Sequence, residues 1–375
     1  MGRQSRAALQ QRNRDRVLAA AKAEFAERGF RGATVDDIAE RADLTRGAVY
    51  SNFAGKRALY LAVLAAEAEG APELLDGRPA RTPVAAIGRF ARTWVDRLPG
   101  SANYPVAGVS QLHSPMLAHD LIPELVVDEC LRGSFVQLIK LDAILLGLAL
   151  AGLDGSGGSV LPGRWLGIAE SVITLLYGAT QLSFVAPEFV DRAKVIAACE
   201  QMVHHRIDDT TRATADTVAV AGVDEPWTPP PCRDLVHTVA ADLSGVNVVA
   251  VLGMNKLGAV ADILRDQPSG GRTTIAMATA DGTEVAQLAR LAVSDISRSL
   301  RAAFPCPAVP GMQVVLDESG KLARACGVDI VDDDTESAVY IDGEQIVARA
   351  KGAGACQALA KTFGTLEDLR SVRSR

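Results

Sequence analysis

Apolar positions follow two different periods along this chain. From residue 14 to about residue 207 they recur every three or four positions, the spacing of amphipathic helices. From residue 246 onward, short Val- and Ile-rich runs alternate with helical stretches, the pattern of an α/β unit. Val17, Leu18, Ala21 and Phe25 lay one stripe along a helix expected over Arg14–Arg28, and Gly29 is placed to end it. Thr34 and Asp37 form an N-cap pair for a second helix that buries Ile38 and Ala39. Asp43-Leu44 makes a turn whose leucine plugs the core, and Thr45 caps a short third helix over Arg46–Phe53. A fourth starts at Lys56.

Further helices are expected over Pro83–Pro99, with Ile87, Phe90, Trp94 and Val95 inward, and over Asp120–Leu153 as one helix or two. Two more follow over Trp165–Val185 and Glu188–Ile207, separated by Pro187. The stretch GLDGSGGSVLPG between Gly152 and Gly163 reads as a loop. The Pro-rich DEPWTPPPCR (224–233) reads as a stiff linker. Beyond it, strands are expected over Val246–Met254, Thr273–Ala278, Gln313–Leu316, Ser337–Asp342 and Gln345–Arg349. Helices are expected over Lys256–Arg265 and Glu284–Phe304. The resulting organisation is 10–70, 80–210, a linker over 211–233, and 234–365. Its fold class is multidomain: an all-α head, an all-α middle and an α/β tail.

Composition adds one decisive asymmetry. Residues 1–57 carry twelve Lys and Arg against seven Asp and Glu, a net +5; the chain's net −6 leaves −11 for the remainder. A basic head on an acidic body suits an anionic partner for the head alone. With 48% hydrophobic and 22% charged residues, 375 residues fit about two to three globular domains. The N-terminus lacks an apolar signal-peptide core and the apolar run Ile144–Leu153 is short, so a cytoplasmic protein is expected. The six cysteines are scattered without a CxxC pair, so neither a metal site nor a disulfide framework is indicated, and no cofactor is expected. His204-His205 diverge by roughly 100° on a helix and do not chelate one ion together.

The third helix carries the chemistry. Val49 and Phe53 fall on one arc; Arg46, Gly47, Tyr50 and Ser51 fall on the adjacent one. A guanidinium fork suits a guanine edge or a phosphate, a glycine lets the backbone approach, and a tyrosine offers both a hydroxyl and a ring. Lys56, at a helix start, can share a phosphate with the amides there, and Thr34 has the same opportunity. FAERGFRGATVDDIAERADLTRGAVYSNFAGKRALYLAVL resembles the DNA-binding domain of the tetracycline-repressor (TetR) family over about residues 12–64. The family's Y-x-x-F stands as Tyr50-Ser51-Asn52-Phe53, with Asn52 at a position where an aromatic or His is common, and Gly55-Lys56-Arg57 replaces the usual Ser/Asp-Lys-Glu. The expected DNA contacts are Thr34, Thr45, Arg46, Gly47, Ala48, Tyr50, Ser51, Asn52, Phe53 and Lys56. The resemblance implies a homodimer on a palindromic double-stranded operator, commonly as a repressor. It further implies a helical effector and dimerisation domain whose last two helices pair with their copies. Trp94, Tyr104, His113 and Tyr177, with Asn103 and His119, are candidate pocket residues for an effector of unknown identity.

The tail resembles a thioredoxin/peroxiredoxin-like fold over about 235–360, through VVLDESGKLARACGV (314–328) and the hairpin AVYIDGEQIVARAKG (338–352) with Asp342-Gly343 as its turn. It departs at the chemistry. Met254-Asn255-Lys256 stands where the active Cys belongs, and Thr335-Glu336-Ser337 where the cis-proline belongs. Without a thiolate there, a non-catalytic module is expected, not an enzyme. The alternatives are a redox-responsive regulator, with Cys306 in FPCPAVP as its candidate thiol, and a thiol oxidoreductase.

Overall fold

The computed structural model describes residues 6–70, 80–98, 122–155, 161–205, 218–245, 247–267, 272–279 and 282–362. The head is α1 (Arg6–Gly32), α2 (Val35–Arg41), α3 (Arg46–Tyr50) and α4 (Lys56–Gly70). The first helix begins earlier than its apolar stripe. It is broken at Gly29 (φ 68°), a left-handed conformation that glycine adopts without a Cβ penalty. Thr34 Oγ accepts the Asp37 amide and donates to the Asp37 carboxylate, so the expected cap is made from both sides. The third helix is shorter than expected; Asn52 and Phe53 leave it in a turn. Val17, Ala21, Phe25, Ile38, Val49 and Phe53 are buried together under α4, and Leu44 packs against them.

The helical body comprises α5 (Pro83–Val95), α6 (Ile122–Val127), α7 (Glu129–Asp154), α8 (Gly163–Val185) and α9 (Arg192–Met202). The region Asp120–Leu153 thus holds two helices, divided at Asp128, whose carboxylate caps α7. Both α7 and α8 are long and apolar enough to cross a membrane by length and composition alone. Here each turns a broad apolar face into the body, and the pair packs closely: Gly147 leaves room for Leu161 and the Trp165–Leu166 backbone.

The tail is a mixed six-stranded sheet. Its strands are β1 (Ala221–Pro226), β2 (Asn247–Gly253), β3 (Arg272–Ala278), β4 (Gln313–Leu316), β5 (Glu336–Asp342) and β6 (Gln345–Lys351), in the order β1-β6-β5-β2-β3-β4. β2, β3 and β4 are parallel; β5 is antiparallel to β2, and β6 to β5. Part of the expected linker is therefore the edge strand β1, and Trp227 just after it is buried, its indole N–H donating to the Leu243 carbonyl. Asp342 pairs with Gln345, which moves the hairpin turn one residue on, to Gly343-Glu344, with Gly343 at φ 64°. Helices α10 (Val260–Asp266), α11 (Gly282–Ala303), α12 (Lys321–Ala325) and α13 (Ala355–Ala360) complete the unit.

Period-two alternation divides the sheet's side chains. Val249, Val251, Ala276, Val315, Val339 and Ile341 face α12 and the 227–243 segment. Val248, Ala250, Leu252, Ile275, Met277 and Val314 face the other way and join one core that runs on through the helical body into the head. The long helix α11 makes that continuity possible. It packs on α4, α5 and α7 and is buried over most of its circumference. Tail and body also exchange backbone hydrogen bonds, from Leu161 N–H to the Leu264 carbonyl and from Ala80 N–H to the Ala303 carbonyl.

Candidate nucleic-acid interface

Two caps and a buried wedge set the short α3 at the surface. Thr45 Oγ accepts the Ala48 amide at 3.2 Å, fixing the first turn. Val49 and Phe53 anchor the inner side, and Arg14 from α1 locks the far end: its guanidinium donates to the Asn52 carbonyl at 3.1 Å and covers the Phe53 ring at 4.4 Å. Arg46, Gly47, Tyr50 and Ser51 are left exposed on one side, with Ala48 and Asn52 partly covered beside them. Tyr50 is 44% exposed, which leaves its ring and hydroxyl open at the surface. Arg46 leans over it, donating to the Tyr50 hydroxyl at 3.4 Å and pairing with Asp36 at 3.2 Å.

The remaining expected contacts separate into two kinds. Thr34 and Thr45 are engaged as caps, and their positions put helix starts at the surface. Lys56 is half-buried: its ammonium donates to the Ala33 carbonyl at 3.2 Å and sits 4.7 Å over the Phe30 ring. Phe53 has its ring in the core. Arg57 faces away from the surface into an ion cluster. It pairs with Asp128 at 2.9 Å and with Glu284 of α11 at 2.6 Å. The Leu131 amide first, and Arg57 after it, hold the Asp128 carboxyl below the usual range. This tie between head, body and tail was marked in the sequence only by Arg57 standing where an acid is usual.

Of the effector candidates, Tyr104 and His113, with Asn103 and His119, lie outside the described residues. Trp94 and Tyr177 come together, their rings 5.3 Å apart, with Phe135 6.0 Å from Tyr177 and Phe90 6.2 Å from Trp94. The Trp94 indole N–H donates to Thr180 Oγ at 2.9 Å. Among them lies Asp142, which sequence reasoning missed. A single charge inside the apolar run Leu141–Leu150 was the signal that could have found it. Asp142 is 3% exposed, one carboxylate oxygen has no partner, and the Tyr177 hydroxyl bonds to the group. Burial first, and the neighbouring Asp295 of α11 second, push its carboxyl well above the usual range. Asp295 itself is held by Arg97, whose guanidinium also reaches Ser299 at 3.3 Å and lies 5.6 Å from the Trp94 ring.

Cys306 is exposed in a short 3-10 turn after α11. No cysteine stands at the Met254–Lys256 turn, where Gly253 is pressed against the Asp332–Asp333 backbone.

A family model described as "Bacterial regulatory proteins, tetR family" matches residues 17–63, from within α1 to the middle of α4. The head is a TetR-family DNA-binding domain. Solved structures similar to the chain each cover about half of it. Escherichia coli NemR in its reduced form is 19% identical over 51% of this chain and 96% of its own, with a TM-score of 0.37. A transcriptional regulator from Rhodococcus sp. Rha1 is 17% identical over 51% and 94%, with a TM-score of 0.34. The fatty acid degradation regulator FadR from Bacillus halodurans is 17% identical over 54% and 96%, with a TM-score of 0.26. No curated protein matches the chain. The match over the TetR-type head carries the assignment; these whole-chain likenesses add nothing to it.

Proposed function

We propose that this protein is a transcriptional repressor that binds a palindromic operator as a homodimer and is released by an effector. One observation carries the reading. The TetR-type head presents Arg46 and Tyr50, side by side and exposed, on a helix fixed by the Thr45 cap and by Arg14. Helix-turn-helix dimers read half-sites about 34–36 Å apart, so a small rotation of the two heads breaks the fit. Leu182 and Val185 at the end of α8, with Phe189 in the turn after it, are exposed apolar residues, which supports pairing of that end with a second copy. The aromatic cluster around Asp142 supports an effector site in the body, with Trp94 and Tyr177 as contacts. The tail acts as a non-catalytic thioredoxin-like module. The parallel β2-β3-β4 arrangement flanked by the antiparallel β5-β6 hairpin supports that fold, and the turn at Met254-Asn255-Lys256 has no thiol to do chemistry.

Selection from random duplexes followed by gel shift tests the function. Tyr50→Ala and Arg46→Ala should each weaken binding to the selected site about 10- to 100-fold with the fold intact. Unchanged affinity in both variants at moderate salt refutes the recognition surface.

A further inference from the structure

A cavity of about 320 Å³ opens in the tail, where β4 ends and the Asp317–Ser319 turn leads to α12. The 230–235 segment and α11 close its other sides. This volume lies at the lower end of small-molecule sites. Its cations come from three separate segments: Arg233, Arg290 and Lys321. Arg233 and Lys321 are exposed, and neither forms an ion pair among the described residues. The one acid in the wall, Asp317, is already engaged: it accepts the Ala323 amide at 2.7 Å and faces the Ser319 hydroxyl at 3.4 Å. An unpaired guanidinium and ammonium on the wall of a small cavity select an oxyanion, because each bond to it is charge-assisted.

The cavity's third cation leads to the head. Arg290 pairs with Glu318 at 2.8 Å and with Glu69, near the end of α4, at 3.7 Å. Glu69 lies on α4 of the head, the helix that packs on α1 and begins shortly after α3. The path from cavity to head is therefore the Arg290–Glu69 pair. An anion that draws Arg290 inward competes with Glu318 and Glu69, and frees that end of α4.

We propose that this cavity binds a small organic oxyanion, a phosphate or carboxylate, and that occupancy shifts α4 of the head through Arg290 and Glu69. Only the output of the site rests on the regulator reading. Calorimetry on the full chain without DNA, titrated with inorganic phosphate and separately with malonate against chloride at equal ionic strength, tests the site itself. Saturable binding of one probe is expected, weakened about tenfold or more per contact removed in the Arg233→Gln and Lys321→Gln variants. Both side chains are exposed, so the variants should unfold at the wild-type temperature. Absence of saturable binding to either probe, or binding that survives the double substitution, overturns the site. In a gel shift on the selected duplex, the bound probe should change wild-type affinity several-fold and leave Glu69→Gln, which lies outside the cavity, unaffected. An equal effect on both proteins overturns the path. A chain that binds the probe but selects no duplex sinks the regulator reading and upholds the cavity.

Discussion

The Arg57–Glu284 contact makes the head's position depend on the tail, and its strength can be measured. The Arg57 guanidinium places two nitrogens on one Glu284 oxygen, at 2.6 and 2.7 Å, and a third contact on Asp128 at 2.9 Å. Its side chain is 27% exposed and that of Glu284 is 22% exposed, so the pair is neither free in solvent nor dry. The raw attraction at about 4 Å and an effective dielectric of about 20 is roughly 4 kcal/mol. Desolvation and the ordering of two long side chains remove most of it; exposed pairs retain about 0.2–1 kcal/mol. The intermediate burial places the net coupling at about 1–2 kcal/mol. A double-mutant cycle with Arg57→Met, Glu284→Gln and the pair, read by urea denaturation, isolates that term. Glu284→Gln should destabilise less than Arg57→Met, because Arg57 keeps Asp128 while its removal strands two acids. A coupling below about 0.3 kcal/mol, within the ordinary error of additivity, refutes the claim that this cluster joins head and tail.

Other outcomes follow from burial and close approach. Asp142 has a folded-state carboxyl raised above its unfolded value, so its burial costs nothing at low pH, where both states are protonated. The cost appears as pH rises above the ordinary carboxylate range. Asp142→Asn should therefore gain stability over wild type between about pH 4 and pH 8, and a difference independent of pH contradicts the assignment. A Cβ on Gly253 would stand 2.2 Å from the Asp332 carbonyl oxygen, so Gly253→Ala should cost about 1–3 kcal/mol in thermal denaturation; a wild-type melting temperature would show that the loop yields freely. Burial pushes the Cys199 thiol up to about 12, and raises Cys326 and Cys356 as well. Iodoacetamide on the native protein should label the exposed Cys130 and Cys306 first, with mass spectrometry finding the buried three modified only after unfolding.

The head was legible in the sequence because its signals are local. A threonine cap three residues before its partner, a glycine at a helix end and a two-turn apolar arc each act within a few positions, and each appears where expected at Thr34, Gly29 and Val49–Phe53. The strands of the tail were legible for the same reason, since a short Val- and Ile-rich run declares itself within a handful of residues. What stayed hidden depends on partners far along the chain. The edge strand β1 reads as a linker because Pro226 and the prolines after it dominate its composition. It becomes a strand only because β6 offers an open edge, and Arg349 pairs with Glu225 across it at 2.7 Å. Asp142 looks like an interruption in an apolar run until α11 brings Asp295 beside it.

Helix α11 illustrates how far a local pattern can mislead about role. Over Glu284–Phe304 its apolar and polar positions describe a helix with one wet face. In the folded chain much of that face is covered: Gln287, Ser294, Asp295, Ser297 and Ser299 are buried, while Glu284 and Arg290 keep partial access to solvent. A buried polar face is tolerated only where partners satisfy it, and removing one partner costs more than the pair ever contributed. Arg97 from α5 meets Asp295 and Ser299; Arg57 from α4 meets Glu284; Arg290 reaches back to Glu69. These three partners lie in the head and the body, while Arg290 also pairs with Glu318 and Arg301 donates to the Val236 carbonyl in the tail. The polar face of α11 thus ties the sheet behind it to α4, which begins shortly after the segment Arg46–Phe53. Any change in where α11 rests would therefore reach α4 through these contacts.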